Sequence, residues 1–148
     1  ERSRGLGDVY KRQLYDEGKK AFGFYCGKGE WFLLTLKNID FMSQMLPDVS
    51  KATQSLDVSV LHTLILEKIF GIDKENMAKQ INLTYTKFFT EAIDGVDKGE
   101  FQCSFVLNPT RVTEIRDVAA AGEKMPQKST YFYPKMITGM VMNNLGVD

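Results

Sequence analysis

Cysteine and histidine are scarce in this sequence, which contains two cysteines and one histidine in 148 residues. Cys26 and Cys103 lie far apart, form no CxxC or Cys/His spacing, and each stands in an apolar, strand-like run. A structural zinc site needs about four such ligands, so we predict no metal site. The cysteines are interpreted as reduced, half-buried core thiols of a cytoplasmic protein, with a disulfide between neighbouring strands as the less favoured alternative.

Net charge and long apolar runs are also lacking. The chain has 19 basic and 19 acidic residues, whereas binding to nucleic acid or to a membrane surface favours a basic excess or stripe. Its longest apolar stretch, residues 58–70, is interrupted by polar side chains and is shorter than the ~20 residues of a membrane span. We therefore expect no nucleic-acid partner and no membrane partner, and a small ligand or another protein instead.

The first residues differ in kind from the rest. Residues 3–13 read SRGLGDVYKRQ, the peptide that a transposon-based sequencing-library adaptor encodes when it is left untrimmed in a metagenomic gene fragment. We therefore expect residues 1–13 to be non-native and disordered, like a tag, and residues 14–148 to form a single C-terminal domain or domain fragment. Without residues 1–13, 15 basic residues face 17 acidic ones, a balance of −2.

Hydrophobic periodicity and turn residues predict an α+β (or α/β) fold, in which helices pack on a mixed β-sheet. Gly27 and Gly29 bracket the turn of a hairpin, and a strongly apolar central helix begins with Asp57 as its N-cap and ends at Gly71. Residues 43–55 predict a loop or a short helical turn. The predicted order is β-β-α-β-α-β-α-loop-β, with strands 21–26, 30–37, 81–85, 101–107 and 137–142 and helices 57–71, 87–97 and 110–121.

Two groups of polar residues are weak candidates for chemistry. His62 lies at the margin of the apolar stripe of the central helix, where a lone histidine is more often a core or subsurface residue than a catalytic one. Asp94, Asp97 and Glu100 cluster near a predicted helix end but lack the alternating spacing of a calcium loop. A solvated turn is the favoured interpretation of the acidic cluster.

The segment AGEKMPQKSTYFYPK, residues 121–135, concentrates more candidate contacts than any other. Its residues 122–129 differ from the phosphate-binding pattern GxxxxGK[ST] at one position, since Gln127 replaces the second glycine. Pro126 also removes an amide donor, and the segment follows a helix instead of a strand, so we reject a P-loop. Two interpretations remain, a buried turn with its lysines in solvent, which the pattern favours, and an anion site. The candidate anion-binding residues are Lys124, Lys128, Ser129, Thr130 and Lys135.

Three blocks of sequence carry a family resemblance. They are SLDVSVLHTLILEKIFGI at 55–72, FVLNPTRVTEIRDVAAAGEKMPQKSTYFYPK at 105–135 and TGMVMN at 138–143. In this order they resemble the C-terminal portion of the bacterial and archaeal domain-of-unknown-function 1015 family. Members of that family carry, upstream, an Asp-Gly-His-His-Arg motif similar to that of the ParB and sulfiredoxin superfamily, which includes nucleotide hydrolysers and free-serine kinases.

The resemblance implies the C-terminal part of a cytoplasmic, nucleotide- or phosphate-dependent phosphotransferase, with a nucleotide as the expected cofactor of the full-length protein. The paired-histidine motif does not occur in this chain, so no catalytic residue can be assigned and the fragment is expected to be inactive by itself. The partners implied are the N-terminal part of the same protein and a small anionic ligand. A non-catalytic structural or protein-interaction module is the alternative.

Overall fold

A β-hairpin opens the part of the chain that the computed structural model describes, residues 19–130. Strands β1 (Ala21–Tyr25) and β2 (Trp31–Thr35) pair in antiparallel fashion. Between them Gly27 and Gly29 have φ angles of +90° and +76°, a region of backbone conformation that residues with a Cβ atom rarely adopt. The predicted hairpin and its glycine turn are therefore confirmed.

A third strand, β3 (Ser104–Val106), pairs antiparallel with β1, and the sheet order is β2-β1-β3. Helices pack against this sheet, so the predicted α+β fold is confirmed. The sequence predicts a mixed sheet, whereas the strands within residues 19–130 are all antiparallel. The strand predicted at 137–142 lies outside the described residues.

The central helix is present, but it has two unexpected features. It begins as α-helix at Asp57 and continues as a π-helical segment, a wider and rarer form that often occurs at functional sites. Its N-cap is Leu56, which makes no side-chain capping bond, so the prediction that Asp57 caps the helix is wrong. The helical elements within residues 19–130 are α1 (Asp40–Met45), α2 (Lys51–Gln54), α3 (Asp57–Val60) with the π-helical segment (Leu61–Glu67), α4 (Lys74–Lys79), α5 (Phe89–Asp97) and α6 (Val112–Ala120).

The link between the π-helical segment and α5 departs most from the prediction. Residues 81–85 form irregular chain instead of a strand. Gln80 and Asn82 adopt φ angles of +54° and +58°, which interrupt the extended backbone that a strand requires. The preceding polar stretch contains α4, which Asp73 caps by accepting a hydrogen bond of 2.8 Å from the Asn76 amide.

Two other predictions about helices have different outcomes. For residues 43–55 the helical alternative is correct, because α2 and the end of α1 lie there. For α6 the sequence predicts that Val112, Ile115 and Ala119 face inward. Ile115 is half-buried, but Val112 is 79% exposed, Ala119 is exposed, and Val118 is fully buried instead. The helix is therefore rotated relative to the prediction, and Val118 is its anchor in the core.

The neighbouring aromatic residues Trp31 and Phe32 fall on opposite faces of the sheet and predict that both faces are covered. Residues from helices do pack on each face, although Trp31 and Phe32 themselves are 38% and 51% exposed. On one face Phe22 packs with Met42 and Val60 from α1 and α3. On the other, Tyr25 packs with two buried residues of α5, Ile93 and Val96. Within residues 19–130 no helix is long and apolar enough to span a membrane.

Candidate functional site

A cavity of about 250 Å³ lies where the loop that follows α6 meets an earlier part of the chain, residues 62–85. The π-helical segment contributes His62, α4 contributes Lys74, and the loop that follows α6 contributes Pro126 and Gln127. Tyr85, from the irregular chain before α5, completes the polar part of the lining. The loop singled out from the sequence and the only histidine of the chain therefore border one cavity. Met77 and Ala78 of α4 supply the remaining apolar lining.

Burial keeps the two ring-bearing polar groups of the cavity neutral near pH 7. It lowers the pKa of His62 from the usual 6.5 and raises the pKa of Tyr85 above the usual 10.0, because the charged form of each group is less well solvated inside the protein. The two rings meet edge to face, with their centroids 6.3 Å apart. A neutral imidazole can donate one hydrogen bond and accept another, and a protonated phenol can donate one.

Lys74 brings positive charge to this cavity. It is the first residue of α4, it lines the cavity, and it is exposed to solvent. The apolar side of α4 faces the core, where Met77 packs with Leu61 and Leu66. This packing fixes the position of α4 relative to the π-helical segment and thus the distance across the cavity.

The loop after α6 is held by one hydroxyl group of its own and by one from the chain before α6. The Ser129 hydroxyl donates to the Pro126 carbonyl at 2.5 Å, and the Thr110 hydroxyl donates to the Ser129 carbonyl at 2.7 Å. Lys124 and Lys128 are exposed, and Lys128 has a φ of +62°. The predicted anion contacts therefore differ in their surroundings. Both described lysines reach solvent, whereas the Ser129 hydroxyl already donates its proton to the loop backbone.

Thr130 is partly buried at the end of the described chain, and Lys135 lies outside the described residues. The loop residues that border the cavity are Pro126 and Gln127, the two that were singled out in the sequence only as departures from the P-loop pattern.

Glu123 is a structural residue that sequence reasoning missed. Its carboxylate accepts hydrogen bonds from the Ser50 amide at 2.6 Å, from the Ser50 hydroxyl at 2.7 Å, and from the Thr53 hydroxyl. These bonds hold the pKa of Glu123 below its usual 4.5, and the bond from Thr53 has the largest effect. They attach the start of the loop to the first turn of α2. The signal in the sequence was Ser50, a residue type that is favoured at a helix N-cap.

The remaining candidates do not form a reactive site. Asp94, Asp97 and Glu100 are all exposed, as a solvated turn predicts, and Asp97 accepts a hydrogen bond from the Tyr25 hydroxyl. Within residues 19–130 no group of three histidine, cysteine or acidic side chains is arranged to hold a metal ion. Asp97 therefore serves the fold, because it anchors a buried tyrosine.

Comparison with known proteins leaves the family open. No protein-family model, curated protein or solved structure matches this chain. The resemblance to the domain-of-unknown-function 1015 family therefore stays a prediction, and the geometry of the cavity carries the functional argument.

Proposed function

We propose that this domain binds a small anionic ligand of the phosphate or nucleotide class in the cavity between His62, Lys74, Tyr85 and the loop after α6. The observation that carries the proposal is the convergence of the loop residues Pro126 and Gln127 with these three side chains around one space. A cation, two neutral hydrogen-bonding rings and an amide form a donor set suited to phosphate oxygens.

Each lining residue has a distinct part in this proposal. The Lys74 ammonium group pairs with the negative charge, while the His62 ring and the Tyr85 hydroxyl donate hydrogen bonds to oxygens. The Gln127 amide supplies a further donor. Met77 and Pro126 exclude water from one side, which strengthens the electrostatic contacts on the other.

The size of the cavity limits what can enter it. Pockets that enclose a drug-sized ligand have volumes of ~300–1,000 Å³, and this one has about 250 Å³. A phosphate-sized group fits within it, and the remainder of a larger ligand such as a nucleotide lies outside. Lys124 and Lys128, exposed on the same loop, are placed to attract such an anion through longer-range electrostatics.

The wider assignment is part of the same proposal. We retain the phosphotransferase activity implied by the family resemblance, with the catalytic motif upstream of this chain, so that the cavity supplies binding and not the reacting group. The cytoplasm is the proposed compartment, because two cysteines in 148 residues are too few for the disulfide framework of a small secreted domain.

Titration of the ¹⁵N-labelled chain with inorganic phosphate, and separately with a non-hydrolysable ATP analogue, tests the proposal. We expect saturable shifts of the amide signals of residues 74–78, 85 and 127 at millimolar ligand. Lys74→Ala is expected to weaken the apparent affinity by roughly 5- to 10-fold, because it removes the cation from the cavity. Lys128→Ala is expected to weaken it less.

Lys79→Ala is the matched control. Lys79 lies on the same helix, but it pairs with Glu75 on the surface and does not line the cavity, so its removal is expected to leave the affinity unchanged. Equal losses in the Lys74 and Lys79 variants would show only a general charge effect. Unshifted amide signals at millimolar phosphate and ATP analogue would contradict the proposal.

A row of aromatic rings supports a protein-interaction module as the second candidate. Phe32, Phe24 and Phe105 lie side by side across β2, β1 and β3, and Phe70 meets Phe105 edge to face. Phe32 is 51% and Phe70 is 48% exposed. Exposed apolar surface of this kind is typical of a binding face. In the same titration, this candidate predicts unshifted cavity signals and line broadening that grows with protein concentration.

A further inference from the structure

The two cysteines lie opposite each other at one end of the sheet. Along the β1–β3 ladder, Phe24 pairs with Phe105 and Tyr25 pairs with Ser104. One further step of this antiparallel register places Cys26 opposite Cys103. Residues that face each other in an antiparallel pair project from the same side of the sheet, so both thiols emerge on the side of Phe24 and Phe105.

The backbone hydrogen bonds show which type of pair this is. The Cys26 amide donates to the Glu30 carbonyl at 3.3 Å, across the hairpin, so the polar backbone groups of Cys26 face β2 and not β3. Relative to β3 the pair is therefore of the non-hydrogen-bonded type, in which Cα atoms are about 4.5 Å apart. A disulfide requires a separation of about 4.4–6.8 Å, and the backbone needs no rearrangement to meet it.

The two thiols differ in accessibility. Cys26 is exposed, which corrects its interpretation as a half-buried thiol, whereas Cys103 is half-buried as predicted. Burial raises the pKa of the Cys103 thiol, and the proximity of Cys26 raises it further. Cys26 is therefore the thiol that a reagent reaches first, and Cys103 is its neighbour in position to react second.

We propose that Cys26 and Cys103 form a reversible disulfide by exchange with a small-molecule disulfide, RSSR. The Cys26 thiolate attacks one sulfur of RSSR, which forms a mixed disulfide and releases RS⁻. The Cys103 thiolate then attacks the Cys26 sulfur, which forms the Cys26–Cys103 bond and releases a second RS⁻. The two thiols are oxidised by two electrons, RSSR is reduced, and the two thiol protons end on two molecules of RSH.

The bond would join the turn of the hairpin to the start of β3. It closes a loop that contains α1 to α5, and a long closed loop restricts the unfolded chain more than a short one. Oxidation is therefore expected to raise the melting temperature by about 5 °C or more. A cytoplasmic disulfide of this kind is transient and follows the redox state of the compartment.

Incubation of the full chain with oxidised glutathione tests the proposal. We expect both thiols to disappear in a titration under denaturing conditions, the intact mass to fall by two hydrogens, and a peptide map to show the Cys26–Cys103 link. Dithiothreitol is expected to restore both thiols. The Cys103→Ser variant is expected to stop at the mixed disulfide on Cys26. The Cys26→Ser variant lacks the exposed thiol and is expected to react far more slowly.

Two outcomes would overturn the proposal. One is a native chain that retains glutathione on Cys26 at equilibrium, since Cys103 would then be out of reach. The other is a disulfide that forms only between two chains, seen as a dimer on a non-reducing gel.

Discussion

Phe22→Ala is expected to lower the free energy of unfolding by about 3–5 kcal/mol, the range for truncation of a buried phenylalanine. The Phe22 ring is 2% exposed and packs with Met42 and Val60. It also borders an apolar cleft of about 150 Å³ with Leu34 and Leu64. Part of its surface is therefore less tightly packed, and the cost should fall toward the lower end of the range.

Phe32→Ala is the matched control, because Phe32 lies on the same face of the sheet and is 51% exposed. Its truncation should cost less than half as much, since less apolar area is lost from the folded state. Urea denaturation measures both, with the midpoint expected to fall and the slope to stay constant. Equal losses in the two variants would contradict the assignment of Phe22 to the core.

Lys20→Met is expected to cost about 3–5 kcal/mol near pH 7, the usual result of leaving a buried ion pair without one partner. The Lys20 ammonium group lies 3.2 Å from the Asp57 carboxylate and 3.5 Å from the Glu114 carboxylate. Its side chain is 14% exposed, and those of Asp57 and Glu114 are 8% and 20% exposed. Without the lysine, two negative charges face each other in a poorly solvated space.

The stability lost in Lys20→Met should be smaller at acidic pH. Burial raises the pKa of Asp57 above its usual 3.8, although Lys20 and Asn108 act in the opposite direction. Removal of the lysine raises this pKa further. The folded variant then binds more protons than the unfolded chain, so its stability increases as the pH falls through the raised pKa toward 3.8. Urea midpoints from pH 7 down to about pH 4 measure this recovery.

Lys79→Met is the control for the loss of a lysine in general. The Lys79–Glu75 pair is on the surface, with side chains 60% and 72% exposed, and exposed pairs four residues apart on a helix contribute about 0.3–0.5 kcal/mol. A Lys20→Met variant as stable as this control would show that the Lys20, Asp57 and Glu114 cluster does not support the fold.

Local sequence patterns predicted the hairpin and the central helix, because turn residues and apolar periodicity determine these elements. Gly27 and Gly29 are required by the conformation of the hairpin turn, and the apolar repeat after Asp57 marks a helix wherever it packs. Residues 81–85 alternate between apolar and polar side chains like a strand, yet Leu83 packs against the cluster of Leu61, Leu66 and Met77. Tertiary packing and the left-handed backbone at Gln80 and Asn82 therefore determine the irregular conformation of this segment.

The candidate site depended on contacts that no local pattern encodes. His62 and the loop after α6 were each noticed in the sequence, but only the packing of α4 brings them to one cavity. Lys74 had no distinguishing signal, because exposed lysines are common at helix starts and on surfaces. Asp57 was predicted as a cap by its residue type, whereas its contact with Lys20 depends on how β1 lies against α3. The register of β1 and β3 likewise had to be seen before the cysteines could be paired.

The pKa of His62, measured by NMR with and without inorganic phosphate, tests the anion site most directly. His62 is the only histidine of the chain, so its ring signals need no further assignment. Without phosphate we expect a pKa below 6.5, because the ring is buried. Phosphate bound beside the ring stabilises the imidazolium form and is expected to move the pKa upward. By linkage, phosphate should then bind more tightly as the pH falls through this range. A His62 pKa that is the same with and without millimolar phosphate would contradict an anion site in this cavity.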